Sequence, residues 1–136
     1  MSQPVNGTLS GTAPSLTYTP DVNSFGTDSF TFKANDGDDD SNVSTIEIDV
    51  GNINDPPTSN AQSVTTNEDS SLAISATATD ADNDTLAFIT VNTVQYGTIT
   101  GTLPNVTYTP NLNYFGSDEF SFKVNDGMAD SNTSTV

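Results

Sequence analysis

The chain has 136 residues, with 18 Asp and Glu against 2 Lys and Arg, a formal charge of -16. Such a surface repels nucleic acid and anionic membranes and draws cations. The absence of Cys and His excludes disulfide staples, thiolate and imidazole metal sites, and catalysis by a Cys nucleophile or a His base, while oxygen ligands remain plentiful.

The length allows one domain or two small ones. Acidity of this degree is compatible with disorder, but Phe, Tyr, Val and Ile recur at alternating spacing, as they do in strands with one buried face. No run approaches the roughly 18 apolar residues of a membrane span, so membrane insertion is not expected. No charged-then-apolar leader opens the sequence. Because Met1-Ser2 stands inside a repeat unit, the expectation is a piece cut from a longer array.

In chain order, the pattern predicts a strand over Leu16–Thr19, a break at Pro20, and a turn at Phe25-Gly26. Phe30, Phe32 and Ala34 then alternate with Ser29, Thr31 and Lys33, giving a strand with one apolar face. Asn35-Asp36-Gly37 reads as a turn, and Ser44–Val50 as the next strand. Residues 51–60, GNINDPPTSN, read as a linker. Strands are expected at Ser63–Thr66, Leu72–Ala76, Leu86–Val91 and Val106–Thr109, and again where Phe120, Phe122 and Val124 alternate with Glu119, Ser121 and Lys123. Pro110, Phe115-Gly116 and Asn125-Asp126-Gly127 punctuate this second half. No segment sustains a helical period.

The two halves are copies. Residues 6–46 align without a gap on residues 96–136 at a constant offset of 90, and 24 of the 41 pairs are identical. This is a tandem array. The expected architecture is all-β, an antiparallel Greek-key sandwich of about seven short strands per unit. Residues 1–50 form the C-terminal part of a first module, 51–60 the linker, and 61–136 a second module short of its last strand.

The order NINDPP (Asn52 to Pro57), NEDS (Asn67 to Ser70), DADND (Asp80 to Asp84), FGSDEF and VNDG resembles the tandem cadherin-like, Ig-like modules of large bacterial extracellular adhesins. The resemblance implies calcium between successive modules. It assigns Asn52, Asn54 and Asp55 of the linker, Asp80 and Asp82 of the following loop, and Asp126 to one junction, with Asp28 reaching it from the first module. It assigns Glu68 and Asp118 to the next junction. Asn52 and Pro56 depart from the family's Asp-x-Asn-Asp-Asn-x-Pro linker, standing in place of its first Asp and its final Asn. Independently of the family, several carboxylates held close together repel, and a divalent ion with oxygen ligands removes that repulsion.

Competing readings are weighed on their residues. Asp36, Asp38, Asp40 and Glu47 fall on positions 1, 3, 5 and 12 of an EF-hand loop, but Ser41 stands where Gly is needed and the flanks read as strands. Lys33 and Lys123 could crosslink to an Asn or Asp, yet both alternate with the Phe pair and so point outward. Tyr18 and Tyr108 share parity with Leu16 and Val106 and are expected in the core or at a sandwich corner. Tyr96 and Tyr114 are candidates for stacking on sugars. Paired carboxylates could serve a glycosidase, but no catalytic motif accompanies them, and no enzyme is expected.

The functional expectation is a calcium-binding structural or adhesion module of a repetitive, secreted or cell-surface protein, with calcium stiffening the joint. The alternative is a polysaccharide-binding accessory module. The incomplete modules carry a further expectation of self-association, since a half sandwich leaves edges and apolar faces uncovered.

Overall fold

The computed structural model describes residues 1–136 and consists of strands and turns without helices. It divides into two units, Met1–Ile53 and Asn54–Val136.

Unit 1 is built from two hairpin-like pairs. β1 (Gly7–Thr12) pairs antiparallel with β2 (Ser15–Pro20), and β3 (Gly26–Phe32) pairs with β4 (Ser44–Val50) over seven residue pairs. Only Phe30 among its apolar residues is buried. Phe32 and Ile46 remain 38% and 42% exposed. The alternation that makes β3 amphipathic is present, but β3 pairs with β4 alone.

Unit 2 contains two three-stranded sheets. β6 (Leu72–Ser75), β10 (Asn105–Pro110) and β9 (Gly97–Thr102) form one sheet in the order β6-β10-β9. β8 (Ala87–Asn92), β11 (Ser121–Asn125) and β12 (Ser134–Thr135) form another in the order β12-β11-β8. β5 (Thr58–Asn60) pairs with β7 (Thr77–Thr79). The two three-stranded sheets bury Ile74, Ala76, Val106, Phe120, Phe122 and Val124 in one cluster. Phe122, the equivalent of Phe32, is fully buried, and Phe88 of β8 stacks on it with ring centroids 5.9 Å apart. Identical Phe residues thus differ in burial because β11 has a neighbour on each side and β3 has only one.

The expected antiparallel all-β architecture is present, with local differences. The hairpins β1–β2 and β9–β10 were not anticipated in full, because GTLSGT and GTITGT alternate Thr with Gly and lack the apolar signature of a strand. Ser59 of the segment read as linker lies buried in β5, its hydroxyl donating to the Asn132 carbonyl at 2.7 Å. Ser63–Thr66, expected as a strand, has no ladder partner. β-strand alternation alone does not make a strand; a paired neighbour does.

Candidate metal centre

β7 ends one residue before Asp80, and the loop to β8 carries Asp80-Ala81-Asp82-Asn83-Asp84. The loop folds over its own first carboxylate: Asp80 Oδ1 accepts the backbone N–H groups of Asp82 at 2.9 Å and Asp84 at 3.1 Å. Asn83 takes a φ of 61°, a left-handed conformation that Asn tolerates better than most residues and that reverses the chain here. From the start of the same unit, the Asp55 amide donates to Asp82 Oδ2 at 2.7 Å.

These bonds consume one oxygen of each carboxylate. The other two, Asp80 Oδ2 and Asp82 Oδ1, are enclosed and have no hydrogen-bond partner. Ligand oxygens of Asp80, Asp82 and Asp84 lie within 4.8 Å of one another, with Asp84 exposed to solvent. Burying an anionic oxygen without a donor, beside two more carboxylates, is costly unless a cation compensates. Asp84 completes a D-x-D-x-D alternation that was visible in the sequence, although the resemblance named only Asp80 and Asp82.

Asp126 and Asn54 meet each other: the Asn54 amide donates to Asp126 Oδ2 at 3.0 Å. Asp126 Oδ1 accepts the N–H groups of Met128 and Ala129, each at 2.6 Å. The Ala129 bond, then Asn54 and Met128, hold its pKa below the ordinary aspartate value. Asp36 of unit 1 closes the matching turn through Asp38 and Asp39.

Asp28 and Asp118 have their oxygens committed elsewhere. Asp28 is buried and accepts the N–H groups of Val5, Asn6 and Ser29 at 2.8–2.9 Å and the Tyr18 hydroxyl at 3.0 Å. Asp118 accepts the equivalent four donors, from Gln95, Tyr96, Glu119 and Tyr108, at 2.9–3.1 Å. The Val5 bond leads the causes that lower the Asp28 pKa, against opposition from burial. For Asp118 burial is the largest single influence and raises the pKa, but the combined backbone bonds and the Tyr108 hydroxyl outweigh it and the net shift is downward. Each is a hub that ties two chain segments to the start of a strand pair. Tyr18 and Tyr108 point their hydroxyls at these hubs, which the shared offset of the Tyr–Asp pairs could have disclosed.

Glu68 is exposed in the loop before β6, and Asn52 is exposed in the tail of unit 1. Neither lies in the Asp80–Asp84 cluster. The EF-hand spacing dissolves in the fold, since Asp40 binds Asn35 and Lys33 and the flanks are β3 and β4. Lys33 and Lys123 form solvent-exposed pairs with Asp40 and Asp130. The Tyr96 and Tyr114 rings stack on each other at a centroid distance of 4.6 Å and an interplanar angle of 8°, so each offers at most one face to any ligand.

A family model described as bacterial Ig domain matches residues 1–49 and, a second time, residues 54–136. No curated protein matches the chain.

Proposed function

The chain belongs to the bacterial Ig domain family, and from that premise we propose that it is a calcium-binding structural and adhesion module of a repetitive extracellular protein. Domains of this family are typically non-catalytic building blocks of extracellular or surface proteins. The calcium reading rests on one observation: Asp80 Oδ2 and Asp82 Oδ1 are enclosed without a donor, in a cluster where carboxylate oxygens of Asp80, Asp82 and Asp84 lie within 4.8 Å of one another.

Calcium suits this donor set. It takes 6–8 oxygens at about 2.3–2.6 Å and tolerates irregular geometry, so carboxylates, backbone carbonyls and water can share the sphere. With no His or Cys in the chain, softer metals have no preferred ligand here. Asp80 and Asp82 are the inner ligands and Asp84 the outer one. Asp28 and Asp118 are left out of the set because four donors already occupy each.

The mechanical consequence follows from connectivity. The Asp55 amide is bonded to Asp82, and Asp55 lies five residues after the end of β4 at Val50. An ion on Asp82 therefore orders the stretch of chain through which a preceding module is attached. Ordering that stretch, which already holds Pro56 and Pro57, lowers its conformational freedom and stiffens the array.

Calorimetric titration of the full chain with calcium tests the reading. Expected is saturable binding with a Kd of roughly 10⁻⁴–10⁻³ M, the range of extracellular modules, abolished by Asp82→Ala. A titration without heat or saturation, at concentrations well above that range, defeats it.

A further inference from the structure

The turn after β11 is closed by one side chain. Asp126 Oδ1 accepts the N–H groups of Met128 and Ala129, and the Asn125 side-chain amide donates to Asp130 Oδ1 at 2.8 Å across the same turn. In unit 1 the matching turn closes on Asp36 Oδ1, through the N–H groups of Asp38 and Asp39. Closing this turn therefore uses one oxygen of the carboxylate. The second oxygen of Asp126 has a different partner, the side-chain amide of Asn54, which lies 72 residues earlier and donates to it at 3.0 Å.

That bond stands one residue from the candidate ion site. Asp55 follows Asn54, and its backbone amide donates to Asp82 Oδ2 at 2.7 Å. With Oδ2 so held, the oxygen left for an ion is Asp82 Oδ1, which is enclosed and has no donor. On its other side Asp55 is followed by Pro56 and the buried Pro57, and a residue before proline is restricted to extended backbone. We propose that Asp126 is a positioning residue: through Asn54 it fixes the Asp55 amide, and through that amide the orientation of the Asp82 carboxylate, before any ion arrives.

The physical reason is preorganisation. The Asp126 turn and the buried Pro57 pin the two ends of a short stretch that otherwise has to be ordered when the ion binds, at a cost in affinity. Asp126 is suited to this because β11, which ends at Asn125, lies between β8 and β12 and gives the turn a fixed base. Its role differs from that of the ligands. Both oxygens of Asp126 carry donors, whereas Asp80 and Asp82 each keep one oxygen without any. Partners that orient a ligand in this way set metal affinity without touching the metal.

Calcium enters only as the ion that Asp82 receives, a part that rests on the function proposed above; the positioning is measured without it, so the two fail separately. In EDTA, exchange of the Asp55 amide followed by NMR on the full chain is expected to quicken roughly tenfold or more in Asn54→Ala and in Asp126→Ala. Calorimetric titration with calcium is expected to show affinity lowered about tenfold or more by either substitution. The double variant is expected to bind no more weakly than the single ones, since both cut one path. Asp126→Asn is expected to keep exchange and affinity within about threefold of the parent, because its carboxamide oxygen closes the turn and its Nδ2 donates to Asn54 once that amide flips. Asn54→Ala leaves the turn intact, so a folding defect in Asp126→Ala does not decide the result. Asp55 exchange unaltered by Asn54→Ala overturns the proposal, as does an Asn54→Ala chain that binds calcium as tightly as the parent. An Asp126→Asn chain as weak as Asp126→Ala makes that carboxylate a ligand and overturns it too. A parent chain that takes up no calcium, with Asp55 exchange still answering to Asn54, defeats the calcium reading and upholds the positioning.

Discussion

The Tyr108 hydroxyl donates to Asp118 Oδ2 at 3.1 Å, and 90 residues earlier Tyr18 makes the same bond to Asp28 at 3.0 Å. Each carboxylate also collects three backbone N–H groups, two of them from a segment 22 and 23 residues away. The Tyr108 ring lies over Gly97, where an added Cβ would strike the ring and the Thr109 carbonyl. The glycine, the tyrosine and the aspartate therefore act together to hold β9, β10 and the approach to β11.

Removing one donor from this hub measures its worth. Tyr108→Phe is expected to lower the unfolding free energy of unit 2 by about 1 kcal/mol. Asp118→Ala is expected to cost more, because it strands three backbone N–H groups as well as the hydroxyl. Urea denaturation compares the two. Equal stability of Asp118→Ala and the parent chain would contradict the hub.

Acid should unmake the hubs in a defined direction. Asp28 and Asp118 are held below the ordinary aspartate value of 3.8 by their N–H and O–H donors. A carboxyl with a lower pKa folded than unfolded contributes its full stabilisation above 3.8 and loses it as pH falls through the folded value. Melting temperature measured from about pH 5 to about pH 2 is expected to drop, and Asp118→Asn to flatten part of that drop. An unchanged slope in the Asn variant would remove Asp118 from the explanation.

Calcium affinity and stability should separate by residue. Asp84→Ala is expected to weaken calcium binding by roughly tenfold, since one carboxylate leaves the sphere, with little effect on the calcium-free melting temperature. Asp28→Ala is expected to do the reverse, leaving affinity intact and lowering stability. EDTA should lower the melting temperature of the parent chain and leave that of Asp82→Ala unmoved. Calorimetry and thermal melts with and without EDTA read both quantities, and a calcium-stabilised Asp82→Ala chain would refute the assignment.

The same substitution should cost different amounts in the two units. Phe122 is fully buried and stacked on Phe88, so Phe122→Ala is expected to cost about 3–5 kcal/mol. Phe32, 38% exposed, leaves a smaller cavity and a smaller loss. Hydrogen exchange along β11 and β3 reports each unit separately. Equal losses would mean that unit 1 is covered by something else in solution.

Much of this molecule was legible in its sequence. The offset of 90 and the alternation around Phe30 and Phe120 determined a repeated antiparallel β fold, because periodicity two admits one buried face per strand. The D-x-D-x-D loop marked the place where carboxylates crowd. Composition alone removed Cys and His chemistry. Which acids remain open to a ligand was decided only by the tertiary structure. Asp28, Asp118 and Asp80 look alike in a sequence, since each is a carboxylate beside a turn, but two of the three backbone groups that fill Asp28 and Asp118 come from a segment 22 and 23 residues away, and their positions exist only after the strands have paired. The same holds for Ser63–Thr66: an amphipathic segment becomes a strand when a neighbour offers its N–H and C=O groups, and that neighbour is set by the fold.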